Sequence, residues 1–241
     1  SSGLPEHAVG AAGDGLAVTL GDAGTATLTF DYPIYNGIGA DFAVFENAFG
    51  NIFLELAFVE VSSDGVNFVR FPSISNSDTT VQIGTFGSVD ATLIHNLAGK
   101  YRADYGVPFD LEELAGDSAI LNINAISHVR VVDVIGCIQD TYASRDSRGV
   151  KVNDPWNTAF APGGFDLDAV AVIHSNTNIA ITKIESEDFS CYPNPVLTGQ
   201  SIEINTTIQN YSATLYNLQG QVLLQEKNSP LQISTQNLIQ G

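Results

Sequence analysis

The chain has 241 residues, room for one large β domain or for a medium domain followed by a small one. Its 44% apolar and 15% charged content excludes an intrinsically disordered chain and describes one that folds. With 27 acidic against 9 basic residues, a formal charge of −18 and a pI near 4.2, it repels nucleic acid and anionic membrane, so neither is an expected partner. The same field suits bound calcium, or simply solubility in a saline exterior.

No apolar run approaches the roughly 18 residues of a membrane-spanning helix. There is no Met, so "SSGLPEHAVG" reads as a processed or truncated N-terminus from which any signal peptide has been removed. Cys137 and Cys191 have no metal-ligand spacing. They are expected as two free thiols, with a bridge across the domain junction as the alternative in an extracellular protein.

In chain order, short segments rich in Val, Ile, Phe and Thr alternate with Gly, Asp, Asn and Ser. They are "LAVTL" (16–20), "ATLTF" (26–30), "DFAVFE" (41–46), "LELAFVEVS" (54–62), "HVRVVDVI" (128–135) and "DLDAVAVIH" (166–174). This is an all-β pattern. Asp64-Gly65 is placed to supply the positive φ angles of a tight hairpin turn. "PFDLEELAG" predicts one short helix, with Asp110 as N-cap, Glu113 as its reciprocal capping partner and Gly116 as the stop. Several strands are apolar on both faces, as in the centre of two packed sheets. Residues 1–176 are therefore read as one jelly-roll-like β-sandwich. Its loops at 72–98 and 136–164 are long and lack core periodicity, and such loops commonly carry function.

Alternation singles out particular carboxylates. It puts Asp133 in the row of Val129, Val131 and Ile135, and Asp166 and Asp168 in the row of Val170 and Val172. Asp41 joins Ala43 and Phe45, and Glu46 joins Phe42 and Val44. A buried carboxylate requires a hydrogen-bond cluster, a base or a cation. With so few bases, Glu46, Asn47, Asp166 and Asp168 form a candidate calcium site; capping of the same acids by loop amides is the competing explanation.

The loop "QDTYASRDSRGVKVNDPWNTAFAPGG" is a candidate ligand site through Tyr142, Arg145, Arg148, Trp156 and Phe160. It concentrates aromatic rings and bases, together with Lys151, in an acidic protein. The alternative is that Trp156 plugs one end of the sandwich while the bases pair with nearby Asp residues. No G-x-S-x-G, H-E-x-x-H, P-loop or dinucleotide fingerprint is present, and His95 and His174 lack metal spacing. A glycosidase pair at Asp166 and Asp168, roughly 6–7 Å apart at ~3.3 Å per residue, is sterically allowed but carries little weight among so many acids. The chain is read as a non-enzyme.

Residues 177–190 read as a polar linker. At Tyr192-Pro193-Asn194-Pro195 the prolines stiffen the entry to a second unit, 191–241. Its strands are "SIEINTT", "YSATLYNLQG", "QVLLQEKN" and "LQISTQNL", with a turn at Asn217 to Gly220. The run "CYPNPVLTG…IEIN…YSATLYNLQGQVLLQ…ISTQNLIQG" resembles the type A C-terminal sorting domain of the Bacteroidota type IX secretion system. The resemblance rests on Tyr192, Pro193, Asn194, Pro195, the strand-turn-strand around Gly220, and Leu238 to Gly241. It implies a small Ig-like β-sandwich, incomplete at its end because the family continues one strand further. It also implies the type IX secretion machinery as partner and a location at the cell surface or outside the cell.

The first domain, through "YNGIGADFAVFENAF", "FVEVSSDGVNFVRFP", "NLAGKY", "GVPFDLEEL" and "GGFDLDAVAVIH", resembles bacterial cell-surface β-sandwich proteins without enzymatic assignment. Members of that group accompany outer-membrane uptake systems, some for cobalamin. "FDLDAVAVIH" also resembles the last strand of jelly-roll carbohydrate-binding modules, where an Asp holds structural calcium. These resemblances imply an exported binder of a nutrient such as a corrinoid or a glycan. A self-associating structural or adhesive surface protein stabilised by calcium is the alternative.

Overall fold

Strand β2 (Thr25–Ile34) alternates exposed Thr25, Thr27 and Thr29 with half-buried Ala26, Leu28 and Phe30, so one side faces a core and the other faces water. The same logic produces the other strands of the first unit, Ser1–Thr177. They are β1 (Val18–Thr19), β3 (Phe42–Glu46), β4 (Ala57–Ser62), β5 (Val69–Arg70), β6 (Ile74–Ser75), β7 (Ile94–His95), β8 (Val107–Phe109), β9 (Ile126–Asp133) and β10 (Asp166–Val172). The computed structural model of the chain describes every residue except 1, 49, 118, 158–162, 176–188, 198, 207–210, 217–221, 228–231 and 237–241.

Two antiparallel four-stranded sheets result, in the orders β1-β10-β3-β8 and β2-β9-β4-β5, and β6 pairs with β7 beside them. Except at the β4–β5 hairpin, successive strands of these sheets change sheet. Between the sheets, Phe42, Val44, Phe109 and Leu167 of one meet Val59, Val61, Val129 and Val131 of the other. Phe42 stacks on Phe109, and both rings contact Phe71. The all-β sandwich expected from the alternation is what forms.

Sheet β2-β9-β4-β5 is covered on its other face too, which explains why every residue of β4 is buried. Leu54, Leu56 and Phe58 pack there with Val89, Ile94, Leu97, Val134 and Val152. The long loops thus build a second core, although their sequence has no core periodicity. Asn153, fully buried, stitches them together. Its Oδ1 accepts from the Ile83 N–H at 3.0 Å, and its Nδ2 donates to the carbonyls of Asp78 at 2.6 Å and Val81 at 2.8 Å. Gln82 completes the seam, accepting from the Ile138 N–H and donating to the Gly136 carbonyl, both at 2.9 Å.

Two local expectations are corrected. Leu111–Asp117 forms a 3-10 helix; Asp110 caps it by accepting from the Glu112 N–H, but Glu113 does not reach back. Its carboxylate is taken by the side-chain amide of Asn96, a longer-range partner that outcompetes the capping box. The β4–β5 connection is a longer loop and not a two-residue turn, with the last paired residues at Val61 and Val69. Gly65 has φ +75°, while Asp64 holds the loop by accepting from the N–H groups of Val66 and Asn67 at 2.8 Å.

The second unit, Asn178–Gly241, contains a three-stranded sheet of β11 (Phe189–Tyr192), β12 (Ser201–Thr206) and β15 (Gln232–Ser234), and a hairpin of β13 (Ala213–Tyr216) and β14 (Val222–Glu226). Ile204 and Ile233 are its buried apolar residues among those described. Of the expected linker at 177–190, residues 177–188 lie outside the described residues and Phe189 and Ser190 begin β11; Phe160, Gly220 and Leu238 to Gly241 also lie outside them.

Candidate functional site

Strand β10 carries a bulge. Leu167 pairs with Glu46 but Ala169 pairs with Phe45, so β10 has one residue more than β3 over that interval. Leu167 faces the sandwich core, and after the bulge Val170 and Val172 do so. Asp166 therefore does not lie in the row of Val170 and Val172, as strict alternation requires, because the extra residue shifts the phase. Glu46, in contrast, does share the buried row of Phe42 and Val44.

Three carboxylates converge at this end of the pair. One oxygen from each of Glu46, Glu55 and Asp166 lies within 4.8 Å of the others. Glu46 is 3% exposed, and its Oε2 is buried without a hydrogen-bond partner. Asp166 accepts from the Thr19 hydroxyl, and Glu55 from the Gly164 N–H at 3.0 Å. Burial pushes all three carboxyls up, Glu46 well above its ordinary value and Glu55 to about 7; repulsion from Asp166 adds to both. No Lys or Arg among the described residues pairs with them. Arg70 and Arg130 grip Glu60, Arg145 and Lys151 hold Asp140, and Arg148 holds Asp146.

The expected set overlaps this trio in part. Glu46 and Asp166 belong to it, and Glu55 was missed. Its signal is the pair of apolar neighbours Leu54 and Leu56, both fully buried, which hold an intervening acid at the edge of the second core. Asn47 contributes its backbone N–H to the Asp166 carbonyl at 3.0 Å. Asp168, buried, turns to the N-terminal segment: its Oδ2 accepts from the Gly13 N–H at 2.7 Å, and its Oδ1 has no partner. Burial raises its carboxyl, and Asp14 and Asp104 add repulsion.

The remaining acids picked out by alternation are satisfied by hydrogen bonds. Asp133 accepts from Phe165 N–H at 2.7 Å and Ala23 N–H at 3.0 Å, tying both sheets' ends together. Asp41 accepts from Gly37 N–H at 2.7 Å and Leu111 N–H at 2.8 Å, and its Oδ1 lies 2.8 Å from His174 Nδ1. These acids organise loops.

In the candidate ligand loop, Arg145 bonds Asp140 at 2.7 Å and the Gly149 carbonyl at 2.9 Å. Arg148 spans Asp146, the Ser75 carbonyl and Asn76. Trp156 is half-buried with its backbone N–H on the Ile83 carbonyl, and Tyr142 is exposed on a turn. A hollow of about 720 Å³ runs beside the edge strands β1 and β2, lined by Ala8, Val18, Leu20, Leu28, Phe30 and Val170 among others.

Cys137 is buried and Cys191 exposed, and both are free. Cys191 belongs to β11, which leads through exposed Tyr192 into Pro193-Asn194-Pro195. Residues 190–241 match the family described as the secretion system C-terminal sorting domain. The tail is a sorting domain. The chain is therefore type IX secretion cargo, exported to the cell surface or extracellular space. Within the sorting domain, Cys191, Pro193, Val196, Ile202, Ile204 and Ile233 line a shallow hollow of about 440 Å³. No curated protein matches the chain, and no solved structure matches it.

Proposed function

We propose that the first unit is a non-enzymatic surface module, structural or adhesive, stabilised outside the cell by a calcium ion held between Glu46, Glu55 and Asp166. The observation that carries this reading is the convergence of three carboxylates, one of them the buried Glu46 whose Oε2 has no hydrogen-bond partner, with no Lys or Arg among the described residues paired to them. Their oxygens, all within 4.8 Å of one another, fit inside the ~5 Å that separates opposite oxygens across a calcium ion with ligands at 2.3–2.6 Å. Three acids provide a charge that a divalent cation offsets, and each can supply one or two oxygens.

A nutrient-binding role for the 136–164 loop, for a corrinoid or a glycan, has less behind it, since Arg145 and Arg148 are already bound to carboxylates and carbonyls of their own surroundings. Self-association and docking to an uptake complex remain compatible with the module.

Thermal melts in calcium and in chelator test the reading. Calcium should raise the melting temperature by mass action, magnesium less so. Glu46→Gln should abolish that response while leaving the chelated protein as stable as before or more so, because it removes like-charge repulsion. Equal melting with calcium and chelator would overturn the site.

A further inference from the structure

In the first unit, Arg70, Arg130, Arg145, Arg148 and Lys151 are held by carboxylates. Lys100 and Arg102 are not among these ion pairs. They occupy the segment "KYRADY", where Lys100 Nζ lies 5.6 Å from the Tyr101 ring centre and the Arg102 guanidinium 4.9 Å from that of Tyr105. Tyr101 is 40% and Tyr105 55% exposed. With Asn51 and Ala91 these four side chains line a hollow of about 430 Å³ that contains no acidic residue, in a chain with 27 of them.

The segment is held in place before anything binds. Gly99 has φ +79°, and a side chain there would strike the Glu55 carbonyl oxygen at 1.9 Å, so only glycine allows this approach. The Ala103 N–H donates to the Ala48 carbonyl at 2.9 Å, and Asp104 takes φ +73°. Gly106 seats against the Phe45 ring. A binding surface fixed in this way loses little entropy when it is filled.

We propose that this hollow binds an acidic oligosaccharide, through a sugar carboxylate or sulfate. Lys and Arg are donors without acceptor capacity, so the ligand must bring acceptors, and a guanidinium favours a planar carboxylate in a bidentate pair. The parts of the Tyr101 and Tyr105 rings left exposed beside the two cations suit the apolar side of a sugar ring. A second hollow of about 290 Å³ shares Lys100 and Tyr101, and Asn96, Asp110 and Glu113 line it. Those carboxylates repel a second anion but accept hydrogen bonds from hydroxyls, which selects a chain of mixed character: one acidic residue beside a neutral one. Nucleotide polyanions are disfavoured there for the same reason. Export places the site at the cell surface or outside the cell.

The test is calorimetric titration of the full chain with an oligogalacturonide and with its methyl-esterified, uncharged counterpart, with and without chelator. The acidic sugar should bind saturably, at least about tenfold more tightly than the ester, with equal affinity in chelator and weaker affinity at high salt. Arg102→Gln and Tyr105→Ala should each weaken it about tenfold without moving the melting temperature, and Tyr101 and Tyr105 ring resonances should shift on titration. Absence of binding, equal binding of the ester, tighter binding of an acidic peptide or a nucleotide, or loss of binding in chelator would each overturn the proposal. Because the readout does not depend on calcium, its failure is separate from failure of the cation site.

Discussion

Glu46 stands directly opposite Leu167 in the β3–β10 ladder, so a carboxylate occupies a row otherwise filled by Phe42 and Val44. Among the described His, Cys, Asp and Glu side chains, Glu55 and Asp166 are the two grouped closely enough to share a cation with it. A row position that alternation assigns to an apolar side chain has been given to an acid, and the surrounding structure supplies two more acids in place of a base.

The trio and the set suggested by alternation alone are separable. Glu55→Gln should abolish the calcium-dependent rise in melting temperature. Asp168→Asn should retain it, because Asp168 is committed to the Gly13 N–H. At calcium a hundredfold above its Kd the wild-type gain is about 2.7 kcal/mol. Loss of the response in Asp168→Asn, with Glu55→Gln unaffected, would reverse the assignment.

Stability in chelator should fall as pH rises from about 4 to about 7. Burial holds the Asp133 carboxyl at about 7 in the folded chain, against an ordinary value of 3.8. Below pH 4 both states carry the proton. Between the two values the unfolded chain has released it while the folded chain keeps it, so rising pH favours unfolding until the folded carboxyl also ionises. Denaturant midpoints at pH 5 and pH 8 measure the slope. Asp133→Asn should reduce it, and should itself cost about 1–3 kcal/mol, since an amide keeps one acceptor oxygen where the Ala23 and Phe165 N–H groups each use one, and its NH2 is a donor only.

Asn153→Ala should be among the most destabilising single changes in the long loops. It strands the Ile83 N–H and the Asp78 and Val81 carbonyls, at about 1–3 kcal/mol for each group left buried without a partner. Asn67→Ala, at the exposed β4–β5 loop, should cost much less. Urea unfolding of the two variants makes the comparison; equal midpoints would show that the loop seam contributes little.

Removal of 190–241 should abolish export, since the sorting domain resides there. Cell fractionation should find the truncated protein in the periplasm, with its first unit giving the same cooperative melt as in the full chain. Surface display of the truncated chain, scored by protease accessibility on intact cells, would contradict the role of the tail.

The strands were legible in the sequence because their cause is local. "ATLTF", "DFAVFE" and "HVRVVDVI" alternate or run apolar over a few residues, and β2, β3 and β9 form where those patterns lie. The sorting domain was legible for a similar reason, since its Tyr192 to Pro195 entry and strand-turn-strand are contiguous in the chain. The bulge in β10 was not, because nothing in "DLDAVAVI" marks an extra residue; it exists only in the register with β3. The second core was hidden as well, since Leu54, Val89, Leu97, Val134 and Val152 come from segments without a shared period. Glu55 joined Glu46 and Asp166 by the same route. Alternation tells which side of its own strand a residue takes. Which side chains from distant segments then meet is decided by strand register and by how loops close over a sheet, and those are properties of the packed whole.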